Sequence, residues 1–350
     1  MQSYISDIIK IRGFLPLDEF ITLALCHQSM GYYAKKSPIM QDFTTSPEIS
    51  NAFGIVIASY IIDSLLKISN GVRKIHFVEF GGGTGKLAFD ILNFVESLHG
   101  LGASNLSELI SKITFNSIEF SEILIDMQKK SLNNIVMEKL FFPDIVSFKK
   151  NLNNYENDIF VFFSNEFFDA LPIKQFVKQE NNIYEIIVTE KSNNFTFEQV
   201  PINANNKKTI FNVAKNNQNT FFEIPFVESG ILSEICEIMH GAKSIFLAID
   251  YGFTQSPDTS TLQGIFEGKK TTNILENIGN TDITHLVDFN LMREFFAANK
   301  IEASISTQGE FLVENGILNL INPKNRDGIA RLIDSEQMGE IFQVLIAKSF

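Results

Sequence analysis

The chain has 350 residues, 45% of them apolar and 20% charged. That is a globular composition, which excludes disorder as the main state, and the length suits two domains or one large α/β domain. Its 29 basic and 41 acidic residues leave a formal charge of −12. The deficit of Lys and Arg argues against a general phosphate-backbone binder, so no nucleic-acid partner is expected; a basic partner or a neutral small molecule fits better.

Cys26 and Cys236 are too few and too far apart for a disulfide framework or a Cys-based metal site, and no metal is expected. Their apolar neighbours predict buried, inert thiols in a reducing compartment. No apolar run approaches the ~18–20 residues needed to span a bilayer. The longest, Ile55–Leu66, is interrupted by Asp63. The N-terminus lacks an apolar signal core and carries Asp7, Asp18 and Glu19, unlike an Arg-rich transit peptide. A cytosolic protein, or one already processed, is the expectation.

In chain order, the first sixty residues mix short helical patterns with a turn-rich stretch from Gly31 to Pro47. His76–Phe80 is a short apolar run ending in glycines, which predicts a buried strand. Leu87, Ile91, Val95 and Leu98 then recur at helical spacing. Ile113–Phe120 reads as a second strand, Glu122–Leu132 as a helix, and Ile159–Ser164 as a third apolar strand. After Pro172 the pattern alternates apolar with polar, with Asn-Asn pairs at turns, which predicts antiparallel hairpins. Residues 203–219 are polar and Asn/Lys-rich, a loop by composition. A helix near Glu228–Met239 and a strand at Ser244–Asp250 restore the α/β rhythm. Helices near Asp288–Ala298 and Asn325–Asp334 precede a final strand-like FQVLIAK. Strands alternating with helices imply a parallel sheet covered on both faces, with its ligand crevice at the carboxyl ends of the strands.

Glu79-Phe80-Gly81-Gly82-Gly83-Thr84-Gly85-Lys86 is the most informative segment. A dinucleotide fingerprint from Gly81 needs glycine where Lys86 stands. A phosphate loop ending at Gly85-Lys86 needs glycine at Phe80 and Ser or Thr at Leu87. Both fail, which leaves G-x-G-x-G between a strand and a helix. That spacing resembles the first motif of class I S-adenosylmethionine-dependent methyltransferases. Absent Cβ atoms allow close backbone approach to a ligand, and the following helix N-terminus favours a carboxylate. Glu79 at the strand end suits the ammonium of such a cofactor or, through water, the sulfonium side. A glycine turn that merely lets strand and helix pack fits the same spacing. Glu119, ending the second strand, can accept both hydroxyls of a ribose, although a solvated strand-end Glu would look alike. Asn165, Glu166 and Asp169 follow the third apolar strand, where class I nitrogen methyltransferases present side chains to the target amine. Asn165 and Asp169 also suit helix capping.

Several blocks together resemble one family, the mitochondrial complex I assembly methyltransferases and their bacterial relatives. They are Gly31–Tyr33, Asp42–Gly54, VEFGGGTGKLAFDIL, Ile118–Gln128, SNEFFDALPIKQF and Ala248–Gly252, followed by TLQGIFEGK, Asp282–Phe289, Ser306–Leu312 and Met338–Leu345. They run in order over nearly the whole chain. The resemblance implies an α/β, Rossmann-like seven-stranded sheet with its last strand antiparallel, an N-terminal helical extension and inserted segments. It places an extension and lid at 1–70, the first part of the core at 71–172, an inserted hairpin region at 173–227, and the rest of the core at 228–350. S-adenosyl-L-methionine is the implied cofactor, held by Glu79, Gly81, Gly83, Gly85 and Glu119. Asp144 would lie near the adenine, after a further strand, and Thr44 and Thr45 on the closing block. Asn165, Glu166, Asp169 and Glu48 are the implied catalytic residues. The implied reaction methylates an arginine of a partner protein such as a complex I subunit, in the cytoplasm of a bacterium or the matrix of a mitochondrion.

The chain departs from the family pattern at Gly82, where a Pro is usual, at Leu286, where a His is usual, and at Ile55, where an acid is usual. The Gly31–Asp42 loop is also short. These departures bear on the lid and the substrate more than on the cofactor. Arginine, with a pKa above ~12, is a poor nucleophile that carboxylates would have to orient. A non-catalytic assembly chaperone and a small-molecule N- or O-methyltransferase are the competing readings. A nicotinamide dehydrogenase is the weakest, because its third glycine is missing.

Overall fold

The computed structural model describes residues 1–35, 45–99, 104–180, 182–202, 210, 214 and 219–350. Thr44, most of the Gly31–Pro47 stretch and most of the 203–219 loop therefore lie outside the described residues. The chain forms two compact units. One is Met1–Phe43 with Phe168–Gly230 and Thr254–Asp288, and the other is Thr44–Phe167 with Ile231–Phe253 and Phe289–Phe350. The stretch 1–70 is thus divided between the two units.

The second unit holds the large sheet. Its strands are β1 (Ile75–Phe80), β2 (Ile113–Ile118), β3 (Lys139–Phe142), β4 (Ile159–Asn165), β5 (Lys243–Phe253), β6 (Glu302–Thr307) and β7 (Phe342–Lys348). They lie in the order β6-β7-β5-β4-β1-β2-β3. Strands β1 to β5 pair in parallel, whereas β7 runs antiparallel to both β5 and β6. These seven strands, of eight in the sheet, form the expected α/β arrangement with an antiparallel last strand. Every residue of β1 and β2 is buried, as expected where helices cover both faces of a parallel sheet.

The core on one face explains the helices. Phe77, Phe115, Val161 and Phe163 project from the sheet and pack with Phe53, Ile57, Ile61 and Leu65 of the helix Asn51–Ile68 and with Ile91 and Val95 of Lys86–Leu98. Asn51–Ile68 begins where Ser50 accepts from the Ala52 N–H at 3.2 Å, an N-cap worth about 1 kcal/mol. The helix has 18 residues and is apolar and long enough to cross a bilayer, which corrects the expectation that no stretch reaches that length. Its apolar residues serve the core instead, and Asp63 sits on the exposed side.

In the other unit, Lys174–Gln179, Asn182–Lys191, Asn194–Pro201 and Phe221–Ile224 form an antiparallel sheet with the short strand Leu15–Pro16. The hairpin at Ser192 and Asn193 turns with positive φ at both residues (49° and 64°), the geometry of a two-residue hairpin loop. Ile5, Leu15, Phe20, Leu25, Ile173 and Val188 build a separate core here. Cys236 is buried and its thiol is pushed up to about 11 by desolvation, whereas Cys26 is only half-buried, not fully buried as expected.

Candidate active site at the carboxyl ends of the central strands

Strand order reverses between β1 and its two neighbours, β2 and β4, and this is the switch point where α/β sheets bind ligands. The parallel register sets Glu79 beside Ser117 and Phe163. Because strand side chains alternate, Glu79, Ser117, Glu119 and Asn165 fall on one face. The site is built there.

Glu79 is almost wholly buried, and its Oε2 has no hydrogen-bond partner among the described residues. Burial, and then the neighbouring charge of Glu119, push its carboxyl up to about 8. The loop that follows bends through Gly81, Gly83 and Gly85, all with positive φ (64°, 51° and 79°). The first and last are needed for packing as well: a Cβ at Gly81 would come within 2.6 Å of the Phe167 ring, and one at Gly85 within 3.0 Å of the Gln128 backbone. A Cβ at Gly83 would meet nothing within 4 Å. Gly83 is therefore the position of the three at which the loop borders open space.

Glu119 is buried just beyond β2, and burial pushes its carboxyl up to about 7 despite hydrogen bonds that act the other way. Its Oε1 accepts from the Ser121 N–H at 3.0 Å and its Oε2 from Gln128 Nε2 at 3.4 Å. Gln128 carried no assigned role in the sequence, yet it also donates to the Gly83 carbonyl at 3.3 Å. The available signal was its spacing: Leu124 and Gln128, four apart, are the buried residues of the helix Glu122–Ser131.

At the end of β4, Asn165 Nδ2 donates to Glu166 Oε1 at 2.9 Å, while the buried Asn165 Oδ1 lacks a partner among the described residues. Glu166 has φ 52°, a left-handed conformation uncommon for a side-chain-bearing residue. Its N–H donates to the Ile249 carbonyl at 2.9 Å, and its Oε1 also accepts from the Ser46 N–H at 3.3 Å. The short helix Ser46–Ile49, preceded by Thr45, carries Glu48, whose Oε1 accepts from Thr84 Oγ1 at 3.0 Å. The segment with Thr45 and Glu48 is thus tied both to the glycine loop and to Glu166.

Two further predicted residues make contacts of their own. Asp144 is exposed and caps the helix Ile145–Asn151, accepting from the Ser147 N–H at 2.7 Å. Asp169 belongs to the other compact unit. There its carbonyl accepts from the His285 N–H at 2.9 Å, and its charge, after burial and that of Asp282, helps hold the buried Tyr33 phenol well above the usual range.

The unpartnered Glu79 carboxylate, the opening at Gly83 and the second carboxylate of Glu119 fit the ammonium, amino-acid chain and ribose of S-adenosylmethionine. Fold and site together define a class I methyltransferase. Residues 56–307 match a family described as putative S-adenosyl-L-methionine-dependent methyltransferase, and the chain belongs to that family. The protein arginine methyltransferase NDUFAF7, mitochondrial, of Danio rerio is 27% identical over 368 aligned positions, spanning 97% of this chain and 85% of its own length. Its Caenorhabditis elegans homologue is 24% identical, over 97% of this chain and 82% of its own length. A COG1565 superfamily member from Burkholderia thailandensis, crystallised with S-adenosyl-homocysteine, shares the fold with a TM-score of 0.81 at 21% identity, over 99% of this chain and 91% of its own. The family resemblance and the cofactor class read from the motif blocks are borne out.

Proposed function

We propose that this methyltransferase acts on a guanidinium nitrogen of an arginine in a partner protein, a respiratory complex I subunit being the partner that the family resemblance implies. The observation that carries the proposal is the unpartnered, buried Asn165 Oδ1 at the end of β4, on the sheet face that bears Glu79 and Glu119. A buried acceptor left unmatched costs about 1–3 kcal/mol, and a guanidinium, which has only donors, satisfies it. S-adenosylmethionine, held by Glu79, Gly83 and Glu119, would supply a methyl carbon already activated by its sulfonium.

The chain's own residues orient and neutralise. Asn165 Oδ1 accepts from one guanidinium N–H and turns the reacting nitrogen toward the cofactor end of the site. Glu166, already bonded to Asn165 and to the Ser46 N–H, offers the carboxylate that takes the departing proton. Alignment of this kind supplies up to ~7–11 kcal/mol in well-oriented reactions. The formal charge of −12 favours encounter with a basic partner. The relatives named as protein arginine methyltransferases support the choice of arginine.

Incubation with methyl-labelled cofactor and candidate basic proteins tests the reading. Label in arginine is expected, lost in Asn165→Ala and Glu166→Gln while cofactor affinity stays within about threefold. Cofactor binding with no label in any protein rejects it. Partner stabilisation that survives both substitutions would indicate an assembly chaperone instead.

A further inference from the structure

Gln128 is fully buried on the helix Glu122–Ser131, between the glycine loop and β2. Its Oε1 accepts from Ser117 Oγ at 2.6 Å, while its Nε2 donates to the Gly83 carbonyl at 3.3 Å and to Glu119 Oε2 at 3.4 Å. The three bonds fix the amide in one orientation, since the reverse would turn its oxygen onto two acceptors. Ser117 is itself held by the β2 ladder, one rung from Glu79 in register. The amide is therefore braced against the sheet, and both of its donated bonds point into the cofactor site.

We infer that Gln128 is the positioning residue that sets the site's affinity for its nucleoside and its demand for a ribose diol. The inference rests on the S-adenosylmethionine reading of that site. Glu119 is anchored by the backbone N–H groups of Ser121, on Oε1, and Phe120, and on Oε2 by Gln128. A carboxylate has about four lone-pair directions, and the orientation these bonds fix decides how it meets two hydroxyls on adjacent carbons. The same amide holds the carbonyl of Gly83, the loop residue that opens to the ligand. Loop and carboxylate thus share one brace. Without it, Glu119 keeps only its bonds to backbone N–H groups, the direction of Oε2 is no longer set, and the paired acceptance of the diol is lost while the adenine end is untouched.

Calorimetry with S-adenosylhomocysteine and its 2′-deoxyribose analogue tests this on wild type and on Gln128→Met, which keeps the volume and deletes the three bonds. Wild type is expected to prefer the diol by about tenfold, the worth of a hydrogen bond to a charged group. In Gln128→Met, affinity for S-adenosylhomocysteine falls about 10–100-fold and that for the deoxy analogue about threefold or less, so the preference collapses. Turnover at saturating cofactor changes by about threefold or less, because the brace acts on binding rather than on the transition state. Unchanged affinity, or equal losses with the preference retained, overturns the inference. Should Gln128→Met fail to fold, Ser117→Ala removes the bond that orients the amide and is expected to weaken the preference in the same direction; a retained preference there overturns it. A wild-type chain that binds neither compound overturns the cofactor reading, and this inference with it.

Discussion

At the β1–β2 end of the site, Ser117, Gln128, Glu119 and Gly83 are joined by bonds that leave each group one orientation. At the β4 end, Asn165 keeps an unpartnered buried acceptor, and Glu166 holds a left-handed φ of 52°. Such backbone strain costs on the order of 1–3 kcal/mol. The first arrangement is preorganised for a ligand of fixed shape, as the common cofactor of a family is. On the proposed reading, the second receives a substrate that brings its own donors. Substitutions at the two ends should therefore separate into losses of affinity and losses of rate.

The largest effect is expected from Gly83→Val. A β-branched residue at φ 51° is strained by about 1–2 kcal/mol, and its side chain enters the opening. Cofactor affinity by calorimetry should fall more than ~100-fold, since loss of about 3 kcal/mol suffices. Binding within about tenfold of wild type would show that the opening at Gly83 is not the berth.

Glu79→Gln comes next and carries a pH signature. The carboxyls of Glu79 and Glu119 lie at about 8 and about 7, above their ordinary 4.5, chiefly because both are buried. The folded chain therefore keeps protons that the unfolded chain releases. The stability this confers is complete below about 4.5 and is lost as pH rises through about 7 and then 8. The melting temperature of the cofactor-free protein should fall over that interval, and fall less in Glu79→Gln. The same substitution should weaken cofactor binding about 10–100-fold, the worth of a charge-assisted bond. A melting temperature with the same pH slope in both proteins would contradict the buried-acid account.

Asn165→Ala sharpens the other side of the comparison. Its turnover should drop up to about 100-fold, as for a misaligned substrate, with cofactor affinity little changed. An equal drop in cofactor affinity would merge the two ends into one binding element. The smallest effect belongs to Asp144→Ala, which removes a helix cap worth about 1 kcal/mol of stability. Cofactor affinity within about twofold of wild type would leave Asp144 as a cap alone, whereas a tenfold loss would support the adenine contact implied by the family.

What the sequence revealed follows from burial. The central strands β4 and β5 carry near-continuous apolar runs because both of their faces are covered, and they were readable directly, whereas β1 and β2 bury His76, Thr114, Asn116 and Ser117 among shorter apolar patterns. Lys139–Phe142 and Glu302–Thr307 form the two edges of the sheet, and their half-exposed residues carry too weak an apolar pattern to stand out alone; the first was expected only through the resemblance, as the further strand before Asp144. The glycine loop was legible because positive φ at several adjoining positions demands glycine. Gln128 was not, because a side chain that acts by joining three groups distant in sequence has no motif of its own. Asp144, expected near the adenine by resemblance, also caps a helix, a role that its place before Ile145–Asn151 allows. Asp169 shows that neighbours in sequence need not share a unit, for the division falls between Phe167 and Phe168.

A crystal structure of the wild-type chain grown with S-adenosylhomocysteine would test the central claim most directly. The account predicts the amino-acid chain of the ligand along Gly83 with its ammonium at Glu79, and the two ribose hydroxyls on Glu119. A ligand bound away from the 81–85 bend, or a bend closed by the protein's own side chains, would contradict it.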